Sequence, residues 1–325
     1  MADRGDASQR LDHAAARHLA GSYALSRSEL QRLVTGGRVL VNNVPATRPA
    51  QRLLMGDVVQ VDVPMPPAPQ SPSAEPLPLS IVFEDAQLLV VAKPAGMVAH
   101  PSHKHRSGTL VNALLWHAAQ VRGDDWQPRL AQRLDKDTSG LLLVAKSAAV
   151  QTALQSNRIR FVKEYLAVVW GRPVPTRGAI THRLGRDPLD RRRVVALASG
   201  ADAETRYRVL DRTRGAARGL SLVSCGLMTG RTHQLRVHLA TEGWPIVGDP
   251  AYGQPPRRRL LDVAVDRAAR GFGRQALHAW RLEFTHPESG RRLRFEAPVP
   301  ADMADLMAVA DLGRGLPVSP GLPRV

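Results

Sequence analysis

Apolar residues along the chain fall into short runs of two periods, grouped on either side of one long proline-rich stretch. Before that stretch, Ser26-Arg27-Ser28-Glu29 reads as a capping box: the first serine accepts from a backbone N–H three residues on, and Glu29 reaches back. Leu30 and Leu33 then carry helical spacing, which Gly36-Gly37 ends. Val39-Leu40-Val41, a turn at Asn42-Asn43, and Val58–Val63 after Gly56-Asp57 alternate as short strands do. Beyond the stretch, the pattern predicts strands at Ile81–Glu84, Leu88–Ala92, Leu141–Ala145, Tyr165–Trp170, Ala203–Leu210, Leu220–Cys225 and Trp280–Phe284. Helices are predicted at Leu110–Ala119, from a Ser147 cap to about Asn157, and at His233–Thr241. Strands and helices do not alternate with the regular spacing of a doubly wound fold. The fold class is therefore α+β, with a mainly antiparallel mixed sheet and a small α/β N-terminal module. There is no internal repeat.

Domain limits follow from the prolines. Seven of the fifteen residues 64–78 are proline, which excludes helix and central strand and leaves an extended, semi-rigid linker over 64–79. It separates a module at 9–63 from a large domain at 80–305. Residues 306–325, with their Gly, Pro and Arg, read as a mobile tail.

Charge narrows the partners. Lys and Arg number 45 against 29 acids, a formal net charge of +16. Each phosphate neutralised by such a chain adds affinity, so a polyanion is the expected partner, against the plainer reading of solvated, solubilising arginines. Arg27, Arg32, Arg38, Arg48 and Arg52 stud the small module. Cys225 is the single cysteine and sits in an apolar run, which excludes an internal disulfide and a cysteine-rich zinc site. No signal-peptide pattern and no membrane-length apolar run is present, so a cytoplasmic protein with no membrane contact is expected. A monomer is the default, since no coiled-coil pattern or apolar edge stands out.

Candidate chemistry concentrates in three segments. In RLAQRLDKDTSGLLLVAK (residues 129–146) a charged loop runs into an apolar strand, a common way to present a site. Asp135 stands there between Arg133 and Lys136, where positive charge favours an anion able to act as nucleophile or base. The alternative is that Asp135 and Asp137 only cap a turn or pair with neighbouring bases. Tyr165, at the start of a strand, could stack on a base or simply fill the sheet. In TGRTHQLRVH (residues 229–238) a turn enters a helix that can present polar groups at its start, Arg231, His233, Gln234 and Arg236 among them; an arginine there could pair with a carboxylate or contact phosphate, or equally be a helix-surface cation.

Two resemblances join these pieces. Arg10-Leu11-Asp12 before a helix, then SRSELQRLVTGGRVLVNN and GDVVQV, resembles the α-L RNA-binding module of a small-subunit ribosomal protein and several RNA enzymes. That resemblance implies RNA contact by Ser26, Arg27, Ser28 and Arg32, with Gly37, Val39 and Val41 shaping the turn and strand. Over about residues 80–300 the ordered segments PAGMVAHPS, RLDKDTSGLLLVAK, KEYLAVVWG, GRTHQLRVHLA, PIVGDPAYG and LHAWRLEFTHP resemble the RluA/RluD-type pseudouridine synthases. The implied roles are Asp135 as catalytic aspartate, Tyr165 as the tyrosine against the target uracil, and Arg236 as the cation paired with the aspartate. By the same pattern Arg133 lies near the space the base vacates and Leu277 lines the uracil pocket. Arg186, Asp187 and Arg191, Arg192 and Arg193 resemble a segment meeting RNA backbone. The family often has His where Gln132 stands, and a local change is expected from that departure.

The resemblance implies cleavage of the bond between uracil nitrogen 1 and ribose, rotation of the base, and rejoining through carbon 5. Asp135 would act either as nucleophile on the sugar or as the base leading to a glycal. No organic cofactor and no metal is required by such chemistry. The implied substrate is structured RNA, with large-subunit ribosomal RNA favoured over transfer RNA. Three rivals differ in class. A metal-dependent nuclease would use Asp135 and Asp137, but two loop acids are few ligands. A non-catalytic ribosome-assembly factor would need only the charge and the small module. His100, His103 and His105 invite a zinc reading, yet solvated or phosphate-contacting histidines suit HPSHKH better without cysteines or clustered acids. No P-loop or dinucleotide fingerprint appears.

Overall fold

The computed structural model describes residues 2–3, 5–19, 25, 27–63, 71–102, 105–120, 126–155, 159, 161–214, 219–254, 262–314 and 316. The chain divides into two compact units, Met1–Ser71 and Pro72–Val325. The first begins with α1 (Leu11–Leu19) and α2 (Arg27–Thr35), followed by the strands β1 (Val39–Val41), β2 (Val44–Pro45) and β3 (Val59–Val61). Ser26, the proposed cap, lies outside the described residues, whereas the helix it was to open is present. α2 ends as the glycines require: Gly37 adopts a left-handed φ of 72° and the Arg38 N–H reaches back to the Leu33 carbonyl at 2.9 Å. Asn42 and Asn43 both take positive φ, 51° and 66°, which is the turn that matches the twist of the β1–β2 hairpin. Leu11, Ala14, Val34, Val39, Val41 and Leu53 pack into a core of this unit's own.

The second unit holds β4 (Ile81–Glu84), β5 (Leu88–Lys93), α3 (Leu110–Gln120), β6 (Arg129–Leu130), β7 (Ser139–Ala145), α4 (Ala148–Gln155) and β8 (Val162–Trp170). It continues with β9 (Arg177–Arg186), β10 (Val194–Ala196), β11 (Ala201–Arg212), β12 (Leu220–Leu227), α5 (Gln234–Thr241), α6 (Val263–Gly271), β13 (Leu277–Thr285), β14 (Arg292–Glu296) and α7 (Ala301–Val309). Eleven strands form one sheet, with the order β10-β9-β11-β12-β8-β13-β7-β5-β4 and with β14 and β6 added at β13 and β7. Every pairing is antiparallel except β13 with β7. The expected α+β class with a mainly antiparallel sheet is what the chain adopts.

The central strands β5, β7 and β8 are apolar on both faces because both faces are covered. Leu89, Val91, Leu142 and Val144 meet Leu110 and Leu114 of α3 on one side. Leu88, Val90, Leu141 and Leu143 meet Val150 and Leu154 of α4 on the other. Ser147 caps α4 as its sequence suggests, its hydroxyl accepting from the Val150 N–H at 3.2 Å.

Two limits shift. The second half of the proline-rich stretch is bonded into the large unit. The Glu75 N–H donates to the Asn112 carbonyl, the Asn112 amide donates to the Ser73 carbonyl at 2.7 Å, and the Glu75 carboxylate accepts from the Gly108 N–H. At the other end, the 305/306 limit falls inside α7. Leu306, Met307, Ala310 and Leu312 belong to the main core, and Arg314 forms paired hydrogen bonds with Asp211 at 2.7 and 3.1 Å. Apolar burial and that ion pair hold this segment against the sheet; most of the tail beyond it, from 317, lies outside the described residues.

The junction of β7 and β13 leaves no space for a side chain at Gly140. Its φ is 114°, and a methyl group there would stand 2.2 Å from the Ala279 carbonyl oxygen. Gly140→Ala must therefore push the two strands apart as well as strain the backbone, at a cost on the order of 3 kcal/mol. Urea unfolding should show the loss as a lower midpoint; an unchanged midpoint would mean that β7 and β13 are less tightly joined than described.

Candidate active site

The site grows from the loop between β6 and β7, and that loop is held from several sides. The ammonium of Lys93, 1% exposed, donates to the carbonyls of Pro94, Met97 and Lys136 at 2.7, 2.9 and 2.9 Å. Burial pulls its pKa down to about 8, partly countered by the charge of Asp137. Arg274 donates to the Asp137 carbonyl at 3.1 Å while its other nitrogens clasp Asp302 at 2.6 and 2.9 Å. Gln275 donates to the Thr138 hydroxyl, and Ser139 bonds His278 at 2.9 Å. The Gln132 amide donates to the Leu141 carbonyl at 3.3 Å, a weak local link at the position where the family pattern that the sequence resembles often has His. Within this loop Leu134 is buried, and Asp135 emerges from it with its side chain 28% exposed.

The opposite wall comes from the turn before α5. His233 adopts a left-handed φ of 55° at the N-terminal cap, which turns the chain sharply into the helix. Arg236, one turn later, is nearly buried and bridges two carboxylates. Its Nε and one Nη donate to Asp249 at 2.7 and 2.8 Å, while the other Nη donates to Asp135 at 3.0 Å. Asp249 is itself fixed by the N–H groups of Ala251 and Tyr252, at 2.9 and 3.0 Å. Burial alone would raise the pKa of Asp249; the bonds and charge of Arg236, with those two N–H donors, outweigh it and lower it. For Arg236 the desolvation is overcome in the same way, and the two acids keep it firmly protonated.

The Tyr252 ring lies under the Arg236 guanidinium at 5.1 Å, and its hydroxyl, 3.0 Å from His233 Nδ1, also accepts from the Val194 N–H. His233 Nε2 is 3.9 Å from Asp135 Oδ2. Burial lowers the His233 pKa, with Asp135 pulling the other way.

Between these walls lies a small open pocket. Leu134, Tyr165, Leu227, Leu235 and Leu277 give it apolar surface, and Asp135, Arg133, Arg231, His233 and Arg236 give it charge and polarity. Tyr165 is 6% exposed and Leu277 4%; on the paired strands β8 and β13 they stand diagonally, Tyr165 opposite Ala279 and Leu277 opposite Ala167. Burial and the nearby carboxylate of Asp135 push the Tyr165 hydroxyl well above its ordinary pKa, so it remains a neutral phenol. A flat apolar wall faces one carboxylate and one shared guanidinium. That arrangement can hold a planar heterocycle beside an anion.

Of the residues singled out from the sequence, Asp135, Tyr165, Arg236, Arg133, Leu277, Arg231, His233 and Gln234 are therefore brought to one pocket. Gln234 differs in kind: its amide accepts from Thr229 and the Arg231 N–H and donates to Glu204 and Thr205, so its polar atoms brace the turn. Arg186, Arg191 and Arg192 lie exposed on the β9–β10 hairpin, away from the pocket lining, with Arg192 paired to Asp190. Ser28 and Arg32 are exposed on α2; Ser26 and the Arg27 side chain lie outside the described residues. Asp249, Tyr252, Lys93 and Arg274 were not singled out as site residues, although the quoted PIVGDPAYG and PAGMVAHPS segments contain or adjoin three of them.

Among the described residues, one group of three acids and histidines has metal-ligand spacing: Asp3, Asp6 and His18 in the first unit. Arg17 already bridges both carboxylates at 2.7 and 2.8 Å, so a cation of the protein's own fills that role. His103 of the HPSHKH segment lies outside the described residues.

A model of the RNA pseudouridylate synthase family matches residues 87–241, and a model of the S4 domain matches residues 21–59. The ribosomal large subunit pseudouridine synthase D of Nitrosomonas europaea is 42% identical over 286 residues, covering 87% of this chain and 79% of that protein. An uncharacterized RNA pseudouridine synthase of Chloroflexus aurantiacus is 45% identical over 291 residues, covering 88% and 86%. Among solved structures, human RNA pseudouridylate synthase domain containing 1 superposes with a TM-score of 0.54 at 30% identity, over 71% of this chain and 87% of that one.

Two buried histidines beside the site make it acid-sensitive. His238, bonded through Nδ1 to Thr205 at 3.0 Å, and His278 both have pKa values lowered to about 4, mainly by burial. The unfolded chain takes up protons at both as pH falls through about 6.5, while the folded chain refuses them until about 4. Their stability contribution is thus complete above pH 6.5 and lost on the way down to 4, at about 1.4 kcal/mol per pH unit for each. Urea titrations of His238→Gln between pH 6.5 and 4.5 should show a slope shallower by one proton; an identical slope would mean that His238 is freely protonated in the folded state.

Proposed function

The chain belongs to the RNA pseudouridylate synthase family, and from that premise we propose that it isomerises specific uridines of large-subunit ribosomal RNA to pseudouridine. The observation that carries the reading is the carboxylate of Asp135, hydrogen-bonded to a buried, doubly paired Arg236 at the mouth of an apolar pocket. The ribosomal substrate is supported by what the named relatives are said to modify and by the S4-domain match. A cytoplasmic location suits that substrate; no helix among the described residues is long and apolar enough to cross a membrane. In this reading the chain acts as a monomer.

The reacting bond is hidden in stacked RNA, so the nucleotide must leave the stack, at a cost of a few kcal/mol. Stacking on Tyr165 and contact with Leu277 offset that cost, and the exposed Arg133 at the rim is suited to the gap left behind. Asp135 then acts on the sugar. Arg236 engages its Oδ2, while Oδ1 accepts no hydrogen bond among the described residues and is free to meet the nucleotide. The glycosidic bond to nitrogen 1 breaks, the uracil turns within the pocket, and carbon 5 bonds to the ribose; carbon 5 then gives up its proton and nitrogen 1 takes one up, so that the product is an isomer of the substrate. Arg236 keeps the carboxylate aligned and offsets the penalty of enclosing an anion. His233 and Arg231 line the polar side, with Gln234 bracing the turn that carries them. Ser26, Arg27, Ser28 and Arg32 of the small unit, and Arg186, Arg191 and Arg192 of the hairpin, contact the RNA backbone in this reading.

Asp135→Asn keeps the size and packing of the side chain but removes the anion. We expect it to abolish turnover while leaving RNA affinity within about threefold, a difference of roughly 0.7 kcal/mol. Tritium release from RNA labelled at uridine carbon 5 reads this directly. Release at a rate near that of the unaltered protein would remove Asp135 from the chemistry.

A further inference from the structure

One face of the sheet carries an arrangement of charge that neither folding nor the pocket explains. β9 and β11 pair antiparallel, placing Arg177 opposite Arg208, Ala179 opposite Arg206, Thr181 opposite Glu204, and Arg183 opposite Asp202. These eight residues share the face opposite buried Ile180, Leu184, Ala203 and Tyr207, and all are exposed except Glu204, which is half-buried. Along the same face most arginines have an acid. Arg183 pairs with Asp202 and Arg206 with Glu204, each at 3.1 Å, and further across the sheet Arg281 meets Glu164 and Glu296. Arg177 and Arg208 break that rule. No ion pair or hydrogen bond holds either guanidinium among the described residues, although they are directly cross-strand.

Like charges directly opposite each other destabilise a sheet, and both side chains are exposed to solvent. Two forked, planar cations fixed about 5 Å apart at their Cβ atoms suit adjacent oxygens of a phosphate backbone. Small Ala179 and Thr181 beside them leave the surface flat enough for a rigid polyanion to approach. We propose that this outer face of β9 and β11 is a second contact surface for the RNA backbone, facing away from the side of the sheet that carries Tyr165. The partner is double-helical RNA flanking the modified nucleotide, recognised by phosphate and not by base. The inference rests on the reading that the substrate is structured RNA, and it extends that reading from the pocket to the far side of the domain.

The test uses the full-length protein with Arg177 and Arg208 both changed to Gln, measured against a long ribosomal RNA transcript and a short stem-loop. Log affinity for the transcript should fall less steeply with log salt, the slope decreasing by about 1.8 for two duplex phosphates. Affinity at low salt should drop about tenfold or more, and the stem-loop should still be converted at the unaltered maximal rate. Thermal stability should hold or rise, since a repulsion is removed; this separates lost contact from misfolding. As a charge-matched control, Arg291→Gln with Arg294→Gln should leave the slope nearly unchanged. An unaltered slope in the Arg177/Arg208 variant, or an equal loss in the control, overturns the proposal. Absence of pseudouridine from RNA treated with the unaltered protein would strike at the enzymatic reading instead, and the binding measurement stands apart from it.

Discussion

The large unit turns on a single guanidinium held between two carboxylates. Arg236 spends three of its N–H groups on Asp249 and Asp135, and almost none of it reaches water. Burying a cation is costly unless its partners are well placed, and here the two partners stand 13 and 101 residues away along the chain. α5 supplies the arginine, the turn after it supplies Asp249, and the loop before β7 supplies Asp135. Satisfying Arg236 therefore closes the pocket. Asp249 is the structural half of the arrangement, fixed by two backbone N–H groups and 0% exposed, whereas Asp135 is the half left open to solvent.

Much of what surrounds this triad can be read as preparation for it. Lys93, Arg274 and Gln275 reach the backbone or hydroxyl of residues 136–138, so the loop carrying Asp135 is fixed by bonds that do not involve Asp135 itself. On the other wall, Tyr252 ties His233, Arg236 and the β9–β10 hairpin to one hydroxyl and one ring. Rigid support of this sort leaves the carboxylate aimed before substrate arrives, which is where electrostatic catalysis gains most.

The core strands were legible in the sequence because they are apolar on both faces: β5 and β7 were read to within two residues, and β4 over its whole length. β9 was missed, since only Ile180 and Leu184 along it are deeply buried and its other positions alternate with arginine and glycine. The same exposed positions hold the opposed arginines, so the feature that hid the strand is the one that gives its outer face a meaning. α6 and α7 were missed for another reason. α6 is a nine-residue helix opened by the Asp262 cap, too short for its period to stand out, and α7 starts directly after Pro300, where a helix start and a loop look alike. Asp135 could be singled out from a charged loop entering an apolar strand, but Asp249 could not, because its partner is 13 residues away and appears only when the turn folds back.

Arg236 aligns Asp135 only because Asp249 holds Arg236. Single-turnover formation of pseudouridine by Asp249→Asn, on saturating RNA and with folding checked by melting, tests it most directly. Asn retains an oxygen for the Ala251 and Tyr252 N–H groups but loses the charge and one strong acceptor for the guanidinium. The chemical step should slow on the order of 100-fold, equivalent to about 2.7 kcal/mol, while RNA binding holds. A chemical step at the unaltered rate would contradict the account.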